Sequence, residues 1–272
     1  MLQALTVDAA ENVLPLAPSA RITEARKDEH GFLRHEVESE FQAGQTEIRV
    51  LLPDQLRAEH KILFVLPVEA GDGRRWGDAQ AEIKKLDLAN KHGLICVYPT
   101  FSHLPWYVDH PTDKTIRQET YFLRVVVPFV EQKYPAARMR DGRLLLGFSK
   151  SGWGAWSLLL RHPDVFGKAA AWDAPLAMDR GHYGMETISG TPENFERYRI
   201  FNLLKQAAPG LGAEKRLALL GYDNFREQTQ RTEELLLSLK IPHTYRDGPQ
   251  RKHHWNTGWV AAAVECLLAP GQ

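Results

Sequence analysis

The chain predicts an α/β fold in which a mostly parallel central sheet has helices on both faces, and two observations carry that expectation. Short apolar runs at 62–66, 94–98, 144–146 and 168–172 have the length and composition of strands buried on both sides. Apolar residues at helical spacing fill 79–92, 117–132, 227–239 and 260–268, which supplies the crossovers a parallel sheet needs. A length of 272 residues suits one large domain with a full core better than two.

In chain order, residues 1–20 carry no such pattern and read as a loosely ordered leader ahead of a single domain over 21–272. Alternating segments at 35–41 and 46–52, separated by Gly44, read as two antiparallel strands. The run 62–66 is closed by Pro67 and a glycine-rich loop. In the helix expected over 117–132, Phe122, Val125, Val126 and Phe129 share one face and Pro128 is expected to bend it. Further strands are expected at 216–220 and 244–246. Residues 174–210, rich in Gly, Pro and polar side chains, are too long for a simple crossover and read as a partial cap.

Lys plus Arg and Asp plus Glu number 34 each, so no large basic surface for nucleic acid or an anionic membrane is implied, and the expected partner is a small molecule. Cys96, in an expected buried strand, and Cys266, in an expected helix, read as packed thiols more than as a disulfide framework. No apolar run approaches the roughly 20 residues that cross a bilayer. The first twenty residues lack the basic start and apolar core of a secretory signal, so a cytoplasmic location is expected. The histidines form no His-Glu-x-x-His pattern, two distant cysteines make a poor zinc site, and Gly71-Asp72-Gly73 lacks the remaining glycine of a dinucleotide loop. No metal or cofactor is expected.

The chemistry centres on Gly147-Phe148-Ser149-Lys150-Ser151, set between an apolar strand and a helical stretch. A serine at the apex of so tight a strand-to-helix turn is held exposed at a helix N-terminus, where N–H groups and the helix dipole favour developing negative charge. Small neighbours are required there, and Gly147, Ser151 and Gly152 provide them, although glycine is the usual residue where Ser151 stands. A serine hydroxyl needs a base and a group that orients the base. Asp223 follows Ser149 by 74 residues and the pair His253-His254 begins 30 residues later. Serine, acid, histidine is the order expected when all three lie at the C-terminal edge of one parallel sheet. Asp173, just after the strand at 168–172, is the rival acid, and either His253 or His254 can serve as the base.

These residues resemble the α/β-hydrolase family of esterase D type, which includes S-formylglutathione hydrolase, feruloyl esterases and mycolyltransferases. The likeness runs from about His35 onward and is carried by residues 145–152, the helix end at 127–135, His162-Pro163-Asp164-Val165-Phe166 and the terminal His253-His254-Trp255. The resemblance implies a histidine two residues before a tryptophan, which selects His253. It also implies an oxyanion hole built from the main-chain N–H of Lys150 and one from the loop after the 62–66 strand. That loop often carries His-Gly in the fold. Here it reads Pro67-Val68-Glu69, which places Glu69 as second donor and requires its carboxylate to point away or to pair with Arg74, Arg75 or Lys150.

The aromatic and polar loop 101–110 is expected to contribute Trp106 and Tyr107 to substrate binding, with Trp76, Trp153, Trp172 and Tyr183 as further wall candidates, although Trp153, on the helix behind the serine, reads more as a core residue. Such faces suit a sugar ring or an aromatic acyl group. The expected function is a serine hydrolase that cleaves a carboxylic ester through an acyl-enzyme. Acyl transfer with the same triad, or ligand binding without turnover, are the competing readings.

Overall fold

Successive side chains of a strand face opposite sides of a sheet, and in the central strands of this protein both sets are apolar. The computed structural model describes residues 13–270. Its strands are β1 (Arg21–Ile22), β2 (Arg26–Lys27), β3 (Leu33–Glu38), β4 (Thr46–Leu51), β5 (Lys61–Val65), β6 (Leu94–Pro99), β7 (Arg143–Phe148), β8 (Lys168–Trp172), β9 (Leu217–Tyr222) and β10 (His243–Gln250). They form one sheet in the order β1-β3-β4-β6-β5-β7-β8-β9-β10, with β2 paired to β3. Pairing is parallel from β6 through β5, β7, β8 and β9 to β10, and antiparallel where β4 joins β6 and β3 joins β4.

Ile62, Phe64, Ile95, Val97, Leu145, Ala169, Ala171, Leu217 and Leu219 belong to one core. Their sequence neighbours Leu63, Val65, Cys96, Leu144, Leu146, Ala170, Ala218 and Leu220 belong to the other. The second face is covered by α1 (Ala79–Lys85), α2 (Leu88–His92) and α10 (Trp259–Leu268). The first face is covered by the helical segment at 118–133, by α5 (Ser149–Arg161), by α8 (Ile200–Ala207) and by α9 (Arg226–Ser238). This is the α/β-hydrolase arrangement, with short turns at the C-terminal ends of β7, β8 and β9 all opening on one edge. Both cysteines are buried and free, and burial pushes the Cys96 thiol up to about 12.

Several expectations need correction in detail. The stretch 79–92 is two helices because Asp87 takes a left-handed conformation with φ 53°, and its carboxylate accepts from the Asn90 amide. The stretch 117–132 is α3 (Gln118–Tyr121), a π-helical turn at Phe122–Val126 and α4 (Val127–Lys133). Pro128 has no N–H to give the Arg124 carbonyl, and that carbonyl instead accepts from the Ala17 N–H at 2.7 Å. Arg124 Nε donates to the Pro15 carbonyl and Ala17 is buried, so residues 13–20 pack against the helix instead of trailing loosely. Residues 1–12 of the expected leader lie outside the described residues. The expected cap at 174–210 contains α6 (Met185–Ser189), α7 (Pro192–Tyr198) and α8.

Glu119 ties these layers together. Its carboxylate meets Arg161 Nε at 2.8 Å and His162 Nε2 at 2.5 Å at the end of α5, and Tyr198 Oη at 2.6 Å at the end of α7. Burial alone would raise its pKa, but hydrogen bonds from His162 and Arg161 and their charges outweigh it and hold the group at about 2. A carboxyl depressed in the folded state stabilises the fold above its unfolded pKa and loses that contribution as pH falls through the folded value. Urea titration of Glu119→Gln at pH 7 should therefore show a loss of about 3 kcal/mol. The gap to the parent should shrink between pH 4.5 and 2; an equal gap at pH 7 and pH 2.5 would contradict the assignment.

Candidate active site

Gly147 to Gly152 turn the chain from β7 into α5 with almost no free space. A Cβ on Gly147 would lie 2.2 Å from the Ser151 carbonyl oxygen, and one on Gly152 would lie 2.9 Å from the Ala174 Cβ. Ser149 itself has φ 52°, a left-handed conformation that costs a non-glycine residue of order 1 kcal/mol or more. Ser151 explains its own departure from glycine. Its buried hydroxyl accepts from the Phe148 N–H at 3.1 Å and donates to the Phe148 carbonyl at 3.0 Å, which closes the turn from inside. Lys150 lies in the first turn of α5, where N–H groups have no preceding helical carbonyl.

His253 follows β10, and its ring Nδ1 lies 2.6 Å from Asp173 Oδ2. The imidazole thus meets Asp173, the rival acid, and not Asp223, the expected one. Asp223 sits at the end of β9 as expected, but its Oδ2 accepts the main-chain N–H of His253 at 2.7 Å, so it holds the histidine's backbone and not its imidazole. Asp173, with φ 40°, also accepts the N–H groups of Phe225 at 2.8 Å and Asn224 at 3.2 Å. Burial pushes its carboxyl up, and the bonds from His253 and from these main-chain donors more than reverse that, leaving it below the ordinary aspartate value. His254 points elsewhere: its ring covers Gly77, where a Cβ would fall 2.1 Å from Cε1.

Aromatic rings fix the imidazole on several sides. Trp76 and Phe148 meet it edge-on at centroid distances of 4.9 and 5.0 Å, and Trp172 stacks on it at 6.2 Å. Trp172 in turn lies flat on Trp259 at 5.3 Å. A cavity of about 500 Å³ opens between these elements, lined by Ser149, Lys150, His253, Glu69, Trp76 and Tyr183, among others.

The loop after β5 is organised by its own carboxylate. Glu69 Oε2 accepts the Arg75 N–H at 2.8 Å, and a Cβ on Gly73 would meet the Glu69 side chain at 2.6 Å. The Glu69 N–H has no acceptor among the described residues. Tyr107 Oη donates to the Pro67 carbonyl at 2.9 Å, and its ring packs where a Cβ of Gly154 would otherwise lie.

Trp106 and Tyr107 are both fully buried and do not line the cavity, which corrects their expected contact with substrate. Trp106 packs edge-on against Trp153 at 5.7 Å, and both main-chain N–H groups donate to the buried Gln118 side chain. Trp76 and Tyr183 reach the cavity as expected, together with Leu104, Pro175 and Phe225, which the sequence reading missed. Periodicity carries no signal for such loop-borne apolar residues. Among the described residues no cluster of His, Cys, Asp or Glu is arranged to hold a metal ion.

The sheet order, the strained serine between β7 and α5, and an imidazole bonded to a buried carboxylate at the same edge define the class of the α/β-hydrolases. The family model described as "Putative esterase" matches residues 44–180, about half of the chain, and the protein belongs to that family. The Mycobacterium tuberculosis protein described as Esterase Rv1288 is 26% identical over 137 residues, which are 49% of this chain and 30% of that protein. The chain thus spans under a third of the length of the curated relatives it matches.

Among solved structures, the Staphylococcus aureus fluorophosphonate-binding serine hydrolase FphF is similar over 88% of this chain and 98% of its own, with TM-score 0.67 and 18% identity. An S-formylglutathione hydrolase from Agrobacterium tumefaciens is similar over 86% of this chain and 92% of its own, with TM-score 0.67 and 17% identity. At such identities the likeness is one of fold.

Tyr107→Phe should lower unfolding free energy by about 1 to 2 kcal/mol in a urea titration, since it leaves the buried Pro67 carbonyl without its donor. A variant as stable as the parent would show that the bond does not support the loop.

Proposed function

We propose that the protein is a serine hydrolase that cleaves carboxylic esters, with Ser149 as nucleophile, His253 as base and then acid, and Asp173 orienting the imidazole. The observation that carries this reading is the 2.6 Å bond between His253 Nδ1 and Asp173 Oδ2. It commits Nδ1 as the protonated nitrogen and leaves Nε2 as the acceptor, on a ring that shares one cavity with Ser149.

In the first half-reaction Ser149 Oγ attacks the ester carbon while its proton passes to His253 Nε2. The carbonyl oxygen becomes an oxyanion facing the N–H groups of Lys150 and Glu69, each worth roughly 3 to 4 kcal/mol in the transition state when aligned. Collapse breaks the bond to the alkoxy oxygen, which leaves as the alcohol with the proton from Nε2. Water then attacks the acyl-enzyme, giving its proton to His253, and the serine departs with that proton restored, releasing the carboxylic acid. The imidazolium formed in each step is stabilised by the ionised Asp173.

Glu69 is proposed as the second donor. With its carboxylate turned to the Arg75 N–H, its own main chain remains available as a donor. The partner of the site is accordingly read as a small-molecule ester.

Hydrolysis of 4-nitrophenyl acetate tests the assignment. Ser149→Ala should lose about 10⁶ in kcat, and Asp173→Asn should lose about 10⁴, because an amide opposite Nδ1 favours the wrong tautomer. Asp223→Asn retains an acceptor for the His253 N–H and should lose less than about tenfold. If Asp223→Asn proves the more damaging of the two aspartate changes, Asp173 is not the orienting acid.

A further inference from the structure

The cavity above Ser149 holds a positive charge that ester cleavage does not use. The Lys150 side chain is half-buried in the lining, and its ammonium makes no ion pair or hydrogen bond among the described residues. Burial draws its pKa below the ordinary lysine value, Glu69 opposes that fall and Arg75 adds to it. The Arg75 guanidinium lies 4.8 Å over the Trp76 ring and likewise has no carboxylate partner among the described residues.

The carboxylates of the site are already hydrogen-bonded within the protein. Glu69 is the acidic side chain of the lining, and its Oε2 is taken by the Arg75 N–H. Asp173 receives the imidazole and two main-chain N–H groups. Apart from Asn224 and the catalytic groups, the remaining wall is apolar or aromatic: Leu104, Pro175, Phe225 and the rings of Trp76 and Tyr183. A neutral ester filling this space would strip water from the ammonium and return nothing, which is unfavourable for a charged group.

We infer that the substrate is an ester bearing a compact anion, a carboxylate by preference, which pairs with the Lys150 ammonium while Arg75 supplies a second cation at the rim. This rests on the hydrolase reading above and states which esters that site selects. The charge sits beside the nucleophile on the residue that follows it, so the anion lies within a lysine side chain's reach of the scissile carbonyl. A flat apolar portion between anion and ester packs against Trp76 and Phe225.

Two substrate pairs test the inference and separate the two sides of the ester. For an anion on the acyl side, 4-nitrophenyl hydrogen glutarate is compared with 4-nitrophenyl valerate; for the alcohol side, 4-acetoxybenzoate with 4-acetoxybenzamide, spontaneous hydrolysis being subtracted. At low ionic strength the charged member of at least one pair should have a kcat/KM about tenfold or more above its neutral partner. That ratio should fall about tenfold in Lys150→Met, mainly through KM, fall in Arg75→Ala, and survive in Lys150→Arg. A ratio at or below one in both pairs, or one unchanged by Lys150→Met and Arg75→Ala, overturns the inference.

Should no ester of either kind be hydrolysed, the functional reading fails by itself. Calorimetry with N-(4-nitrophenyl)glutaramic acid and N-(4-nitrophenyl)pentanamide on Ser149→Ala then decides the charge preference. Tighter binding of the acid, lost on adding Lys150→Met, supports the inference, and equal binding refutes it.

Discussion

The Asp173 carboxylate accepts from the His253 ring and from the N–H groups of Asn224 and Phe225, while the same residue's carbonyl accepts the Ser149 N–H at 3.2 Å and its N–H donates to the Leu220 carbonyl. One residue at the end of β8 is thereby bonded to the nucleophile turn after β7, to the loop after β9 and to the histidine loop after β10. The ends of the four adjacent strands β7 to β10 are locked to a common point, so the placement of serine relative to imidazole is set by the sheet spacing and not by flexible loops. Its φ of 40° is a local cost that this set of bonds offsets.

Asp173 alone would leave the histidine loop free to pivot. The second restraint is Asp223, which grips the His253 backbone, and the third is the bond from the Trp255 N–H to the Trp76 carbonyl at 2.9 Å. Trp172, Trp255 and Trp259 surround Phe148 beneath the imidazole. This packed aromatic floor limits the ring to a small arc while excluding water from one side, which strengthens its bond to the carboxylate. Both aspartates therefore matter to the histidine, through different atoms.

That division explains which parts of the site were legible in the sequence. The strands at 62–66, 94–98, 144–146 and 168–172 and the late helices were readable because burial on both faces leaves continuous apolar runs, and the serine because a turn this tight restricts its neighbours to small residues. Chain order could bring Asp173 and Asp223 to neighbouring strand ends, but it carries no information on whether a carboxylate meets an imidazole or a backbone N–H one bond away. The aromatic loop misled for a related reason. Trp106 and Tyr107 have the composition of a binding wall, yet the buried Gln118 carbonyl takes both of their N–H groups and turns the rings inward. The split of 79–92 at Asp87 and the helices within 174–210 were hidden because helices this short lack the periodic length that identifies a helix.

The loop after β5 shows how a residue that looks wrong for catalysis can be reconciled with it. A carboxylate at the oxyanion side would repel the developing charge, and replacing it with a neutral residue would seem an improvement. Here Glu69 caps its own loop at the Arg75 N–H, Gly73 makes room for that fold-back, and Lys150 offsets its charge across the cavity. Removing the carboxylate would free the loop that carries the second N–H donor, so the geometric loss opposes the electrostatic gain. The same arrangement fixes the sign of the cavity: Glu69 offsets only one of the two cations of the lining, Lys150 and Arg75, which leaves a net positive charge directed toward whatever enters.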